Sequence, residues 1–189
     1  MAPNTGSKSD DGFTLLELVI AMMLLVLILA IVGTMIVSLS STSKTVRTQT
    51  ATSSSAQAAA ESIERGIRNS SDFLLTNPTG TDQMLVARTA RGTTTVTWVC
   101  AAWYYSASNG GSIRYTSSMS AIATPSASTL GTWTLLSSGV TPITGTTIFT
   151  GSSPTLSFSF NGTSSGGGPV ALISTVLSRA GSSGTPACY

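Results

Sequence analysis

Apolar positions recur along this chain in three different patterns, and each predicts a different kind of element. From Leu18 to Val32 the sequence is an unbroken run of Leu, Val, Ile, Ala and Met, and apolar residues dominate as far as Val37. Glu17 stands at the mouth of the run, and the next charged residue is Lys44. About 20 residues at roughly 1.5 Å each span about 30 Å, the thickness of a bilayer's hydrocarbon core. A backbone in that slab must satisfy its own hydrogen bonds, so the run predicts a transmembrane helix or the hydrophobic part of a signal peptide. Secretory signals carry a shorter apolar region of roughly 7–15 residues with a small-residue cleavage site behind it. Here the run is longer, and the unusual residues lie in front of it.

The second pattern has helical spacing. Val46, Ala56, Ala59, Ala60, Ile63, Ile67 and Ser70 fall three, four or a few whole turns apart, with Glu61, Glu64, Arg65 and Arg68 on other faces. Glu61–Arg65 and Glu64–Arg68 are Glu-before-Arg pairs at i,i+4, the better orientation, worth a few tenths of a kcal/mol each. The spacing predicts that the membrane helix continues from Ser38 to about Leu75, where Asn77-Pro78-Thr79-Gly80 stops it. The Ser/Thr cluster between Ser38 and Ser55 is a poor helix former, so its order is expected to depend on neighbours in an assembly.

The third pattern is short and β-like. Strands are predicted at 84–88, 94–103, 112–116, 132–136, 155–160 and 170–177, separated by Gly, Ser, Pro and Asn. Leu156, Phe158 and Phe160 alternate, so that strand buries one face, and Asn109-Gly110-Gly111 marks a hairpin. Residues 145–153 and 161–169 read as loops. The class is therefore α+β: a long N-terminal helix, half membrane and half amphipathic, packed on an antiparallel β-sheet domain.

Composition narrows the chemistry. The 189 residues allow one modest domain plus the helix; only 8% are charged, the net charge is +2 and histidine is absent. Without histidine there is no Ser-His or Cys-His nucleophilic pair and no His/Cys zinc cluster. No Asp or Glu follows Asp82, so the β region lacks both a calcium cage and paired glycosidase carboxylates. No enzyme, cofactor or metal is expected. Cys100 and Cys188 are too far apart in sequence for a metal-binding pair, and a disulfide fits a domain held outside the membrane, where it would pin the chain end. Arg88, Arg91, Arg114 and Arg179 with Trp98, Trp103, Tyr104, Tyr105, Tyr115 and Trp133 have the composition of a single-strand nucleic-acid surface. They do not cluster in sequence, which favours aromatics in the core and arginines as scattered solubilising charges.

The residues before the apolar run carry a family resemblance. Gly12 followed by Phe13-Thr14-Leu15-Leu16-Glu17 resembles the cleavage and methylation motif of type IV prepilins and type II secretion pseudopilins. The resemblance implies that a membrane prepilin peptidase cuts after Gly12, that the new N-terminal Phe13 is N-methylated, and that Glu17 pairs with the amine of a neighbouring subunit. It also implies a type IV pilin-like fold with a leader at 1–12, a transmembrane and filament-core helix at 13–37, the outer half of the spine helix at 38–75 and a β-rich head at 76–189. Other pilin or pseudopilin subunits, the peptidase and the cytoplasmic membrane would be its partners.

Ile63, Ile67-Arg68 and the run Leu135 to Val140 are similar to minor subunits of the PilW or J type, which implies a scarce structural subunit near the filament tip. Two departures stand out. The calcium site of some major pseudopilins has no counterpart, and the leader's single Lys8 against Lys44 and Arg47 favours the opposite orientation by the positive-inside rule. Alternatives are a DNA-binding receptor pilin of a competence system and a signal-anchored surface protein that never assembles.

Overall fold

The structure, a computed structural model, describes residues 14–92, 95–163, 168–179 and 187–189. It divides into two compact units, Met1–Lys44 and Thr45–Tyr189. Helix α1 covers Leu15–Arg68. In the first unit every described residue is exposed, including Leu18, Leu29 and Met35. A helix apolar on all sides has no solvent-facing side, so this stretch is built for an apolar surrounding. Hydroxyl groups within and just after the run bond back to the helix: Thr34 Oγ1 donates to the Ile31 carbonyl at 2.8 Å and Ser41 Oγ to that of Ser38 at 2.8 Å. Such back-bonding lets Ser and Thr sit in a helix with their polar atoms satisfied.

The second unit is a helix, two sheets and a covering segment. α1 buries Ala56, Ala59, Ala60, Ile63 and Ile67, one stripe at three- and four-residue spacing. Small residues in that stripe let the β backbone come close; a Cβ on Gly162 would lie 3.0 Å from that of Ala56. Five antiparallel strands form the first sheet in sequence order: β1 (Ser70–Thr76), β2 (Gln83–Arg91), β3 (Thr97–Ser106), β4 (Ser112–Ser118) and β5 (Thr134–Ser138). In the second sheet β8 (Thr155–Gly162) is the hub, pairing with β6 (Val140–Pro142), β7 (Phe149–Ser152) and β9 (Val170–Leu177). One cluster joins the helix stripe to Phe73, Leu85, Trp103 and Ile113 of the first sheet and Phe149, Leu156, Phe158 and Phe160 of the second.

The other face of the first sheet is covered as well. Met84, Val86, Cys100, Ala102 and Tyr104 form a second cluster with Cys188, and Ile122, Leu130 and Trp133 pack against it. The covering segment contains the short helix α2 (Ala127–Leu130), closed at its start by a reciprocal Ser126–Thr129 capping box.

Two polar contacts fix the sheets. Gln83, only 1% exposed, accepts from the Ile148 and Phe149 N–H groups at 2.7 and 2.8 Å and donates to the Phe149 carbonyl at 2.9 Å. One side chain at the start of β2 thereby acts as a strand partner for the start of β7. At Gly111 (φ 83°) the backbone carbonyl accepts from Val140 N–H at 3.2 Å, and an added Cβ would meet the Val140 carbonyl at 1.7 Å. Only glycine allows that approach.

Several expectations are corrected here. The helix ends at Arg68, not near Leu75, because 70–76 pairs along β2 from Thr89 to Met84 and puts Phe73 into the core. Ser70 Oγ donates to the Ile67 carbonyl at 2.7 Å and so takes up one of the helix's last free acceptors. Within 145–153, read as a loop, lies β7, and 161–162 extends β8. There are two sheets instead of one. Val46 is 55% exposed, so the buried stripe begins at Ala56. Of the two Glu–Arg pairs, Glu64–Arg68 closes at 3.5 Å, and Glu64 also accepts from Ser174 at 2.5 Å. The hairpin at Asn109 to Gly111 is present, joining β3 to β4 with Ser106 opposite Ser112.

Replacing Gln83 by Leu keeps the volume but leaves two buried N–H groups without a partner, each worth about 1–3 kcal/mol. Gln83→Leu is expected to lower stability by about 3 kcal/mol, read by thermal or chemical unfolding of the detergent-solubilised protein.

Candidate functional site

The N-terminal segment is built around the start of α1. Thr14 precedes the helix, and its side-chain oxygen accepts from the Glu17 N–H at 3.3 Å. Its carbonyl accepts from Glu17 N–H at 3.1 Å and from Leu18 N–H at 3.2 Å. Thr-x-x-Glu is the sequence form of a capping box, and Thr14 plays the N-cap part here. Glu17 lies in the first turn, where a carboxylate favours the positive end of the helix dipole. Its side chain is exposed, at the edge of the apolar run that makes this helix long and apolar enough to cross a membrane. A charge at that edge is stabilised by an opposite charge, and an N-terminal amine one turn earlier would supply it. Gly12 and Phe13 lie outside the described residues.

The disulfide is formed. Cys100 on β3 and Cys188 join with their Cα atoms 5.3 Å apart, across a sequence separation of 88, and both are buried. The last residues are held at two further points. The Cys188 carbonyl accepts from Ile122 N–H at 3.4 Å, and Tyr189 Oη donates to Asp72 Oδ2 at 2.5 Å. Burial pushes the Asp72 carboxyl up, but hydrogen bonds from Tyr189, Ser153 and the Phe73 N–H, with the Arg88 charge, outweigh it and hold it below its ordinary value. Burial, then the Asp72 carboxylate, raises the Tyr189 phenol. On the same face of the sheet, burial and the Asp82 carboxylate push Tyr104 up to about 12.

The arginine and aromatic residues are dispersed. Trp103, Tyr104 and Tyr105 are buried. Arg88 is buried too, donating to Ser71 at 2.7 Å and lying 5.0 Å from the Trp98 ring centroid. Arg91 bonds to Tyr115 and Ser117, and Arg114 donates to the Trp133 carbonyl at 3.0 Å. Arg179 is exposed. Most of the aromatic surface that a nucleic-acid platform would need is therefore packed inside. The residues that sequence reasoning missed are Gln83, Asp72 and Tyr189. A lone Gln in an apolar strand was the one available signal.

Residues 7–33 match the model of the prokaryotic N-terminal methylation motif. No curated protein and no solved structure matches the chain. The motif is typical of type IV prepilins and pseudopilins, and the architecture agrees: a long N-terminal apolar helix followed by an antiparallel β domain, the α+β plan of a type IV pilin. The likeness covers the N-terminal motif and the plan of the fold, and the motif's family is one of structural subunits held in the membrane by a single helix. The motif implies processing by a prepilin peptidase and assembly with other pilin subunits.

Two measurements check the anchorage of the chain end. In the chain-entropy account, a cross-link closing a loop of this length contributes about 4.6 kcal/mol, so Cys188→Ser is expected to lower the melting temperature of the domain by many degrees. The Asp72 contribution is present above the ordinary carboxylate range, about pH 3.9, and is lost as pH falls through the lowered value. Tyr189→Phe removes the largest of the hydrogen bonds that lower it. The variant should lose less melting temperature than the native protein between about pH 5 and about pH 2.

Proposed function

We propose that this chain is a minor, initiating or tip-proximal subunit of a type IV pilus or type II secretion pseudopilus. Prepilin peptidase would remove residues 1–12 after Gly12, and Phe13 would become the N-methylated first residue. Residues 13–37 would anchor the subunit in the cytoplasmic membrane and later join the hydrophobic core of the filament. The β-rich head from 76 onward, with the outer part of the helix, would stand outside the membrane. The observation that carries this reading is the conjunction of the methylation motif at 7–33 with an all-round apolar helix that begins at Leu15, directly behind the cleavage point.

Glycine at position 12 suits a peptidase pocket that needs close backbone approach, since it has no side chain to clash. Glu17 suits a pairing role because each added helix brings a new amine to the membrane edge. The buried disulfide supports an oxidising location for the head, and so the family orientation, against the slight opposite bias of the few basic residues. A minor role is supported by the Ser/Gly-rich loops and by the lack of any acidic residue after Asp82. Those features fit a few specific neighbours better than thousands of identical ones.

Gly12→Val should leave the uncut precursor in the membrane, and N-terminal sequencing of the native protein should begin at Phe13. An intact Met1 in cells with active prepilin peptidase would sink the reading. Glu17→Ala should be processed normally yet enter filaments poorly, as judged by immunoblots of sheared filaments. Quantitative mass spectrometry of the same material tests abundance. Were this chain the commonest pilin present, the minor role would fail while the pilin assignment stood.

A further inference from the structure

The covered face of the first sheet holds a cavity of about 730 Å³ that no part of the assembly reading uses. Its floor is set by strand register. Ser106 on β3 lies opposite Ser112 on β4, and Ser112 lies opposite Ser138 on β5. Those three serines form one row across neighbouring strands, which stand about 4.8 Å apart. The next row brings Tyr104 opposite Arg114, and Asp82 enters beside it, just ahead of β2. All six residues line the cavity, and the segment around α2 forms its wall. Asn109 stands at its rim with φ 53°, a left-handed conformation that is uncommon outside glycine.

The polar groups are held in place before any ligand arrives. Asp82 Oδ2 accepts from Tyr104 Oη at 3.0 Å and Oδ1 accepts from the Ala107 N–H at 2.9 Å, so each oxygen is oriented and keeps accepting capacity. Arg114 spends one N–H on the Trp133 carbonyl and has four others. Among the described residues neither Asp82 nor Arg114 forms an ion pair, although both line one cavity.

This lining selects a class of ligand. A polyanion would meet Asp82 and a cation would meet Arg114, so a ligand of either net charge leaves one of them opposed. One carboxylate cannot make the oxygen cage that calcium needs. Serine hydroxyls both donate and accept, as do the hydroxyls of a sugar, and the strand-to-strand spacing of the row is on the scale over which a pyranose presents them. A carboxylate accepts from neighbouring ligand hydroxyls, and the Arg114 guanidinium and Asn109 carboxamide in the same lining can donate to their oxygens. The volume lies within the range of small-molecule sites, which run to about 1,000 Å³, and has room for more than one ring.

We infer that this cavity is a binding site for a neutral saccharide, with Asp82 and Arg114 as its polar poles and the Ser106–Ser112–Ser138 row as its floor. The site rests on the head domain alone and stands whether or not the chain is a filament subunit.

The test uses the full-length protein in a detergent without a sugar head group, first on a glycan array and then by calorimetric titration with the best neutral oligosaccharide. Zwitterionic dipeptides are titrated in parallel. Asp82→Asn, Arg114→Gln and the cavity-filling Ser138→Tyr are each expected to weaken saccharide binding at least 10-fold, and Arg179→Gln to leave it unchanged. Ser138 is exposed on an edge strand, so its variant keeps the test valid if Asp82→Asn disturbs folding, as read by the melting curve and the Cys100–Cys188 linkage. No neutral glycan bound, or affinity that survives the folded variants, overturns the inference. Binding of dipeptides in place of sugars overturns it equally.

Discussion

The second unit depends on how closely α1 can approach the first sheet, and one contact sets that distance. Trp103, the largest fully buried side chain, lies across Gly66: a Cβ added there would sit 2.1 Å from the indole ring. Its ring N–H donates to Ser62 Oγ at 3.0 Å, one helical turn earlier. A residue that is both bulky and polar is thus accommodated by a glycine beneath the ring and a hydroxyl at its edge. Glycine in a helix is unfavourable by about 1 kcal/mol relative to alanine, and burial of an indole offsets that several times over. Tyr115 continues the aromatic contact with centroids 5.5 Å apart, carrying the helix contact from β3 to β4.

From that contact outward, the first sheet behaves as a middle layer. Residues of odd and even number on β2 and β3 go to different cores: Leu85, Ala87, Ala101 and Trp103 toward the helix, Met84, Val86, Cys100 and Ala102 toward the cover. A sheet buried on both sides reads as a continuous apolar run and loses its period of two. This is why Met84 to Ala87 and Val99 to Trp103 are unbroken apolar runs: they imply cover on both faces without saying which segment supplies it. The cover between β4 and β5 is mostly Ser, Ala and Thr, with Pro125 and Gly131 and few large apolar residues, a composition that looks like loop.

Legibility followed the same division. Where a face pattern was clean, the reading was right: Ala56 to Ile67 as a helix stripe, Leu156-Phe158-Phe160 as a one-sided strand, Asn109 to Gly111 as a hairpin. It failed where a long-range partner decided the outcome. The stretch Ser71 to Leu75 has no strong local preference, and pairing with β2 makes it a strand. Phe149 to Ser152 is half glycine and serine, and becomes β7 because β8 and the Gln83 side chain pair with it. At the N-terminus the motif could be read in full because its meaning is local: a glycine, a cap and a carboxylate at fixed spacing before an apolar run. The cavity floor, by contrast, exists only through register across three strands.

The Cys100–Cys188 bridge has a consequence for how the molecule is made. Between the two cysteines lie β4 to β9, the α2 cover and every strand of the second sheet. Cys100 sits at 0% exposure beneath that cover. The bond therefore cannot close until the chain has been made as far as residue 188, so β3 meets its covalent partner only after every strand of the second sheet exists. Until then Cys100 is held beneath the cover by packing alone.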